Sequence, residues 1–152
     1  MAAHASLGLA HQAFAIRNKF PGSRPLLARG RLSWRWTLQP SDVSRTYGVV
    51  LLAREGVEAS VFVETPELEP NDGGLLPHVY DNGGLCLNRQ GDWQPRMLFT
   101  DTFIPWAVQW LFFYEIWKAT GLWHGDGPEA MDTEVQSALL HPYAGPKGVN
   151  SW

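Results

Sequence analysis

Cys86 is the single cysteine of the chain, and a thiol is an intrinsically strong nucleophile near neutral pH. It closes the run Leu76-Pro77-His78-Val79-Tyr80-Asp81-Asn82-Gly83-Gly84-Leu85-Cys86-Leu87. His78 stands a short way upstream, at a separation a loop folds back across, and its imidazole can donate a hydrogen bond or accept a proton near pH 7. The stretch Asp81-Asn82-Gly83-Gly84 is backbone-permissive, so the chain can turn sharply there and bring main-chain amides near a reacting carbonyl. A thiol plus one oxyanion donor is enough for thioester chemistry. At an ordinary thiol pKa near 8.5, about 3% of it is ionised at pH 7, which serves exchange between thioesters. The competing reading is structural: a lone cysteine is often a small buried hydrophobe, and the flanking Leu85 and Leu87 suit that role. A loop histidine, likewise, can simply order its turn.

The elements that must position these groups follow from periodicity. Residues 6–20 carry Leu7, Leu9, Ala10, Ala13, Phe14 and Ile16 at near-helical spacing until Pro21-Gly22, which predicts a first helix. From Arg31 to Leu38 apolar and polar residues alternate strictly, the mark of a half-buried strand. Tyr47 to Ala53 and Val57 to Glu64 predict two more strands around the turn Arg54-Glu55-Gly56, giving an antiparallel meander of three. Glu67 to Gly84 is rich in Pro, Gly, Asn and Asp, so it reads as a long surface loop that leads into Cys86. Thr100-Asp101-Thr102 is a plausible cap for a helix that runs to about Thr120, with Pro105 in its first turn and Gly121 beyond its end. Phe103, Trp106, Trp110, Phe113 and Trp117 recur along it as an aromatic stripe, expected to be core. A last helix is expected over Pro128 to Leu140, before a Pro- and Gly-rich tail to Trp152.

Composition narrows the function classes. At 152 residues and 45% hydrophobic the chain is long enough to bury a core of its own, and we expect one domain over residues 1–152. A net charge of -3 with no basic block speaks against nucleic acid, whose binding rests on phosphate neutralisation. The single cysteine forms no internal disulfide, the N-terminus lacks a secretory pattern, and no run reaches the roughly 18 apolar residues of a membrane helix. A cytoplasmic protein away from the membrane is expected. The five histidines are scattered, with no i, i+4 pair and no cysteine pair, so no metal site and no cofactor are expected.

The segment at about 75–95 resembles the active-site region of ubiquitin-conjugating enzymes. Those enzymes carry a His-Pro-Asn motif, a turn with Asn-Gly, a Cys-Leu pair and then Trp-x-Pro before a helix. Aligned on Cys86, the residues Asn82-Gly83, Leu85, Leu87 and Trp93-x-Pro95 look like their counterparts, and Pro77 matches the family proline. Leu76 stands in place of the family histidine, and His78 in place of the asparagine that supports the tetrahedral intermediate. The C-terminal runs Pro105 to Trp110, Tyr114 to Trp117 and Thr120 to Gly125 are similar to bacterial ubiquitin-conjugating-like proteins of anti-phage operons, encoded beside a cyclic-oligonucleotide-making nucleotidyltransferase.

The resemblance implies an α+β fold of the UBC-like type: an antiparallel meander flanked by an N-terminal helix and C-terminal helices. It implies that Cys86 holds a protein C-terminus as a thioester and yields it to an amine. The expected partner is a donor tail, from a nucleotidyltransferase or a ubiquitin-like protein, and charging is expected to come from an activating enzyme in trans or from another donor, because the chain has no glycine-rich phosphate loop of its own. Cys86 and His78 are the expected catalytic residues. Tyr80, Asp81 and Asn82 are candidates for the groove that holds the donor tail, although turn-making explains each of them too. Asp101 is a candidate to orient the amine, or else starts the helix. Two other classes stay open: a non-catalytic binding module of the same fold, whose eight tryptophans would suit an interface, and a cysteine hydrolase that pairs Cys86 with His78 or His124.

Overall fold

The computed structural model describes residues 6–125. The first amphipathic stretch forms helix α1, Leu9–Lys19, which buries Leu9, Gln12, Ala13 and Ile16. Gly8 occupies its N-cap and offers no side chain. Glu55 supplies the missing acceptor from a distant turn: its Oε2 accepts the Leu9 N–H at 3.1 Å. A carboxylate is thereby set at the positive end of the helix dipole.

Four strands follow as one antiparallel sheet in sequence order: β1 Leu26–Ala28, β2 Arg31–Leu38, β3 Tyr47–Arg54 and β4 Ser60–Thr65. The alternation read in β2 holds, since Leu32, Trp34 and Leu38 are buried while Arg31, Arg35 and Thr37 are exposed. Two details differ from the sequence expectation. The meander has four strands rather than three, because β1 is only 3 residues long and exposed throughout, leaving no pattern of burial to detect. It pairs with β2 across Arg29-Gly30, both at positive φ (54° and 72°), the I′ geometry whose twist matches a hairpin. The last strand begins at Ser60 rather than Val57: the Val57 N–H is used to close the turn on the Arg54 carbonyl at 3.3 Å, and pairing starts at Ser60 opposite Leu52.

Between β4 and the last described helix, regular pairing is limited to one isolated bridge, as the Pro-, Gly- and Asn-rich composition requires. A short 3-10 turn, Phe99–Asp101, leads into α2, Phe103–Thr120. Thr102 is the N-cap, but no side chain caps the helix there; its hydroxyl donates instead to the Leu98 carbonyl at 2.8 Å. At the other end Gly121 turns left-handed at φ 79° and returns its N–H to the Trp117 carbonyl at 2.7 Å, the usual use of glycine after a helix. The helix expected over 128–140 and the tail lie outside the described residues. Among the described residues no helix is long and apolar enough to cross a membrane.

The core lies between the inner face of the sheet and the two helices, where Trp34, Leu51 and Val61 pack with Ile16, Phe103 and Leu111. Full burial of side chains this large stabilises by about 2–3 kcal/mol each. One polar clamp crosses it. Gln12, 1% exposed, donates from Nε2 to the Met97 carbonyl at 3.0 Å and accepts the Phe99 N–H at 2.8 Å. Together with a bond from the Leu7 N–H to the Pro95 carbonyl at 2.9 Å, this fixes α1 to the segment that follows the cysteine loop. Trp93 is buried there, stacked on Phe99 at 5.6 Å, so the Trp-x-Pro element anchors the loop's downstream end.

Candidate active site

Residues 78–86 form a small hairpin. Val79 and Leu85 make an antiparallel bridge; the Cys86 N–H donates to the His78 carbonyl at 2.9 Å and the Tyr80 N–H to the Gly84 carbonyl at 2.8 Å. The two-residue period of extended chain puts 78, 80, 84 and 86 on one side and 79 and 85 on the other. Burial follows that division: Leu85 is 3% exposed and Val79 packs on the core, whereas Cys86 is half-buried and Tyr80 exposed. The Leu85 N–H also donates to the Val61 carbonyl at 2.9 Å and ties the hairpin to β4. Leu85, which in sequence argues for an inert buried thiol, is thus the anchor on the opposite side of the hairpin from Cys86.

The tip is a three-residue loop, Asp81-Asn82-Gly83. Gly83 has φ 90° and donates to the Tyr80 carbonyl at 2.9 Å, and the Asn82 Oδ1 accepts the Gly84 N–H at 2.9 Å. Asp81 and Asn82 are both exposed at this tip, and the Asn82 carbonyl is engaged in making the turn.

His78 is held from three directions. Its φ of 55° is left-handed, a region that His and Asn enter several-fold more readily than other non-glycine residues. That preference is a physical reason for a histidine to be tolerated at this position. Its carbonyl accepts both the Cys86 N–H and the Trp110 Nε1–H, the latter at 2.9 Å from α2. Its ring stacks on Trp123, with centroids 4.8 Å apart and planes 29° from parallel.

His78 and Cys86 both line a cavity of about 240 Å³, whose other walls include Trp106, Trp110, Phe113 and Trp123. Tyr80 is not among the lining residues, yet its phenol is close enough to the Cys86 thiol to interact with it. The phenol is held above its ordinary value, first by partial burial, then by the charge of the Cys86 thiolate, the hydrogen bond to it, and Glu58. Glu58 in turn accepts the Asn88 Nδ2–H at 2.9 Å.

The structure therefore brings Cys86, His78 and Tyr80 together, puts Asp81 and Asn82 at the hairpin tip, and sets Asp101 elsewhere. Asp101 lines a separate cleft against α1, with His11 and Phe14. His124 is not among the residues that line the Cys86 cavity. Among the described residues, no group of three His, Cys, Asp or Glu side chains is arranged to hold a metal ion. Sequence reasoning missed the walls: Trp106, Trp110 and Phe113 belong to the stripe read as core. Trp110 and Phe113 are indeed buried, but the same three residues also line the cavity that Cys86 lines.

The sequence model of the family described as Type II CBASS E2 protein matches residues 12–130. The chain belongs to this family. The match takes in most of α1, the sheet, the cysteine hairpin and α2. An N-terminal helix, an antiparallel sheet and a following helix are the UBC-like arrangement, here carried by an E2-like protein of CBASS defence. Membership of the CBASS E2 family implies operon partners in that system. No curated protein shows significant sequence similarity to the chain.

Proposed function

We propose that this CBASS E2 protein is a thioester carrier, acting as a single conjugating domain. The Cys86 thiolate takes the C-terminal acyl group of a partner protein, such as a nucleotidyltransferase or a ubiquitin-like protein, after an activating enzyme has charged it in trans. In the transfer step an amine nitrogen attacks the thioester carbonyl, a C–N bond forms, the C–S bond breaks, and the sulfur leaves as thiolate. The observation that carries this reading is the pairing of Cys86 with His78 across the hairpin, both on the wall of one cavity.

Each neighbour then has a role. His78, its carbonyl and ring both held, either donates an N–H to the oxyanion or takes the proton of the amine. Tyr80 stabilises the thiolate that departs by hydrogen-bonding to it. Asp81 and Asn82 border the groove for the donor tail. Asp101, on another cleft, has no part in this step. The experiment is expression of the operon partners with wild-type or Cys86→Ala protein and immunoblotting of each partner under reducing conditions. Wild type yields partner conjugates of higher mass that survive thiol treatment, and Cys86→Ala yields none; equal conjugation by both would refute the reading.

A further inference from the structure

Gly121 closes α2 in the left-handed conformation, and the chain beyond it turns back along the helix it has just left. Trp110 lies about 15 Å down the axis from Thr120, yet the Trp123 ring reaches it at 5.2 Å and reaches Phe113 at 6.2 Å. The return is tight. A Cβ at Gly125 would lie 2.7 Å from Phe113 Cδ2 and from Trp123 Nε1, nearer than Cβ atoms come to other groups, so this position needs glycine. Trp110 and Phe113 are buried, and residues 121–125 therefore form a strap that rests its one indole on fixed core.

That indole carries the His78 ring, at 4.8 Å and 29° from parallel. His78 thus has restraints of two kinds. Its backbone is held by the Cys86 N–H and the Trp110 Nε1–H on its carbonyl, which leaves the side-chain torsions free. Three χ1 wells and two broad χ2 orientations give an unrestrained imidazole about six ring states. A ring meets a thioester on Cys86 only when it is turned into the cavity that both residues line. Resting on the carrier reading, we infer that Trp123 is a positioning residue for the transfer step: its stack selects the ring state of His78 that faces the Cys86 thioester. Aromatic pairs at this separation attract beyond the area they bury, and locking one state of six raises the productive population by up to about sixfold. In the step itself the amine nitrogen attacks the carbonyl carbon, the C–N bond forms, and the C–S bond breaks with the sulfur leaving as thiolate. The nitrogen's proton passes to the imidazole or to water. Trp123 acts on this step through His78.

The test is a double-mutant cycle on the full chain, charged on Cys86 with a synthetic peptide thioester and discharged by glycinamide, with intact mass following loss of the acyl group. Trp123→Ala should discharge about fivefold more slowly than wild type, and Trp123→Phe, which keeps a ring to stack on, should restore most of the rate. Gly125→Ala keeps the indole but crowds it, and should be slowed as well. In His78→Ala the rate should already be low, and adding Trp123→Ala should slow it by less than about twofold further, because the ring to be positioned is gone. An indole that only packs the wall would slow discharge equally with and without His78, and that result overturns the inference. So does a wild-type rate in either Trp123→Ala or His78→Ala; both results leave Cys86 as a carrier. A wild-type Cys86 that cannot be charged overturns the carrier reading, and this inference with it.

Discussion

Replacing Tyr80 by Phe removes one hydroxyl from beside the Cys86 sulfur and keeps the ring. The bond favours a neutral phenol together with an anionic sulfur, and the raised pKa of Tyr80 keeps its O–H protonated throughout the range in which a thiol titrates. A hydrogen bond to a charged group contributes about 1.5–3 kcal/mol when shielded. Tyr80 is 55% exposed, so competition with water reduces this to about 1 kcal/mol. At 1.36 kcal/mol per pH unit, the midpoint of the Cys86 alkylation profile should rise by about 0.7 unit in Tyr80→Phe, leaving about fivefold less thiolate at pH 7. A more basic thiolate is also a better nucleophile, with a Brønsted slope of about 0.4–0.5, so the measured rate at pH 7 falls only about two- to threefold. The assay is iodoacetamide alkylation read by intact mass from about pH 6 to pH 10. Profiles that superimpose, or a midpoint that falls, would refute the assignment of Tyr80 as a donor to the thiolate.

Gln12→Ala removes both bonds of the clamp to Met97 and Phe99 at a site 1% exposed and should cost about 2–4 kcal/mol in urea unfolding; a loss below about 1 kcal/mol would mean that the clamp is replaceable. Gly83→Ala forces a Cβ onto a residue at φ 90°, which should destabilise by about 1–2 kcal/mol and slow Cys86 alkylation by disturbing the hairpin. Tyr47 is buried and its hydroxyl donates to Glu115 Oε2 at 2.8 Å, so burial and that carboxylate raise its pKa. Its folded pKa lies above the unfolded one, so the unfolded chain ionises first, and stability should fall as pH rises past about 10. Tyr47→Phe should flatten that alkaline slope, which denaturant midpoints against pH would show.

Much of the fold was legible because its signals are local. The alternation of Leu32, Trp34, Trp36 and Leu38 declares β2, and Gly121 after the Phe103–Thr120 run declares the end of α2. The strand β1 escaped because 3 exposed residues carry no periodicity, and its Arg29-Gly30 turn lacks the Asn-Gly or Asp-Gly pair that commonly marks such a hairpin. In the candidate site, the spacing of His78 and Cys86 was readable from the motif, but three facts were not. That Leu85 and Cys86 point to opposite sides depends on the bridge at Val79. That Tyr80 reaches the sulfur depends on the same pleat. The cavity itself depends on where α2 and Trp123 pack against the hairpin, a long-range contact through Trp110 Nε1 and the His78 ring. An aromatic at helical spacing announces burial; which neighbour it is buried against is a tertiary matter.

The central claim is that Cys86 carries an acyl group, and trapping that bond tests it most directly. Protein purified from cells that express its operon partners is resolved without reductant and weighed intact, with Cys86→Ser beside it. The account predicts an adduct on wild type that thiol reagents release, and one on Cys86→Ser that withstands thiols but yields to hydroxide, as an oxygen ester does. No adduct on either form, with Cys86→Ser still giving full defence in its host, would contradict it.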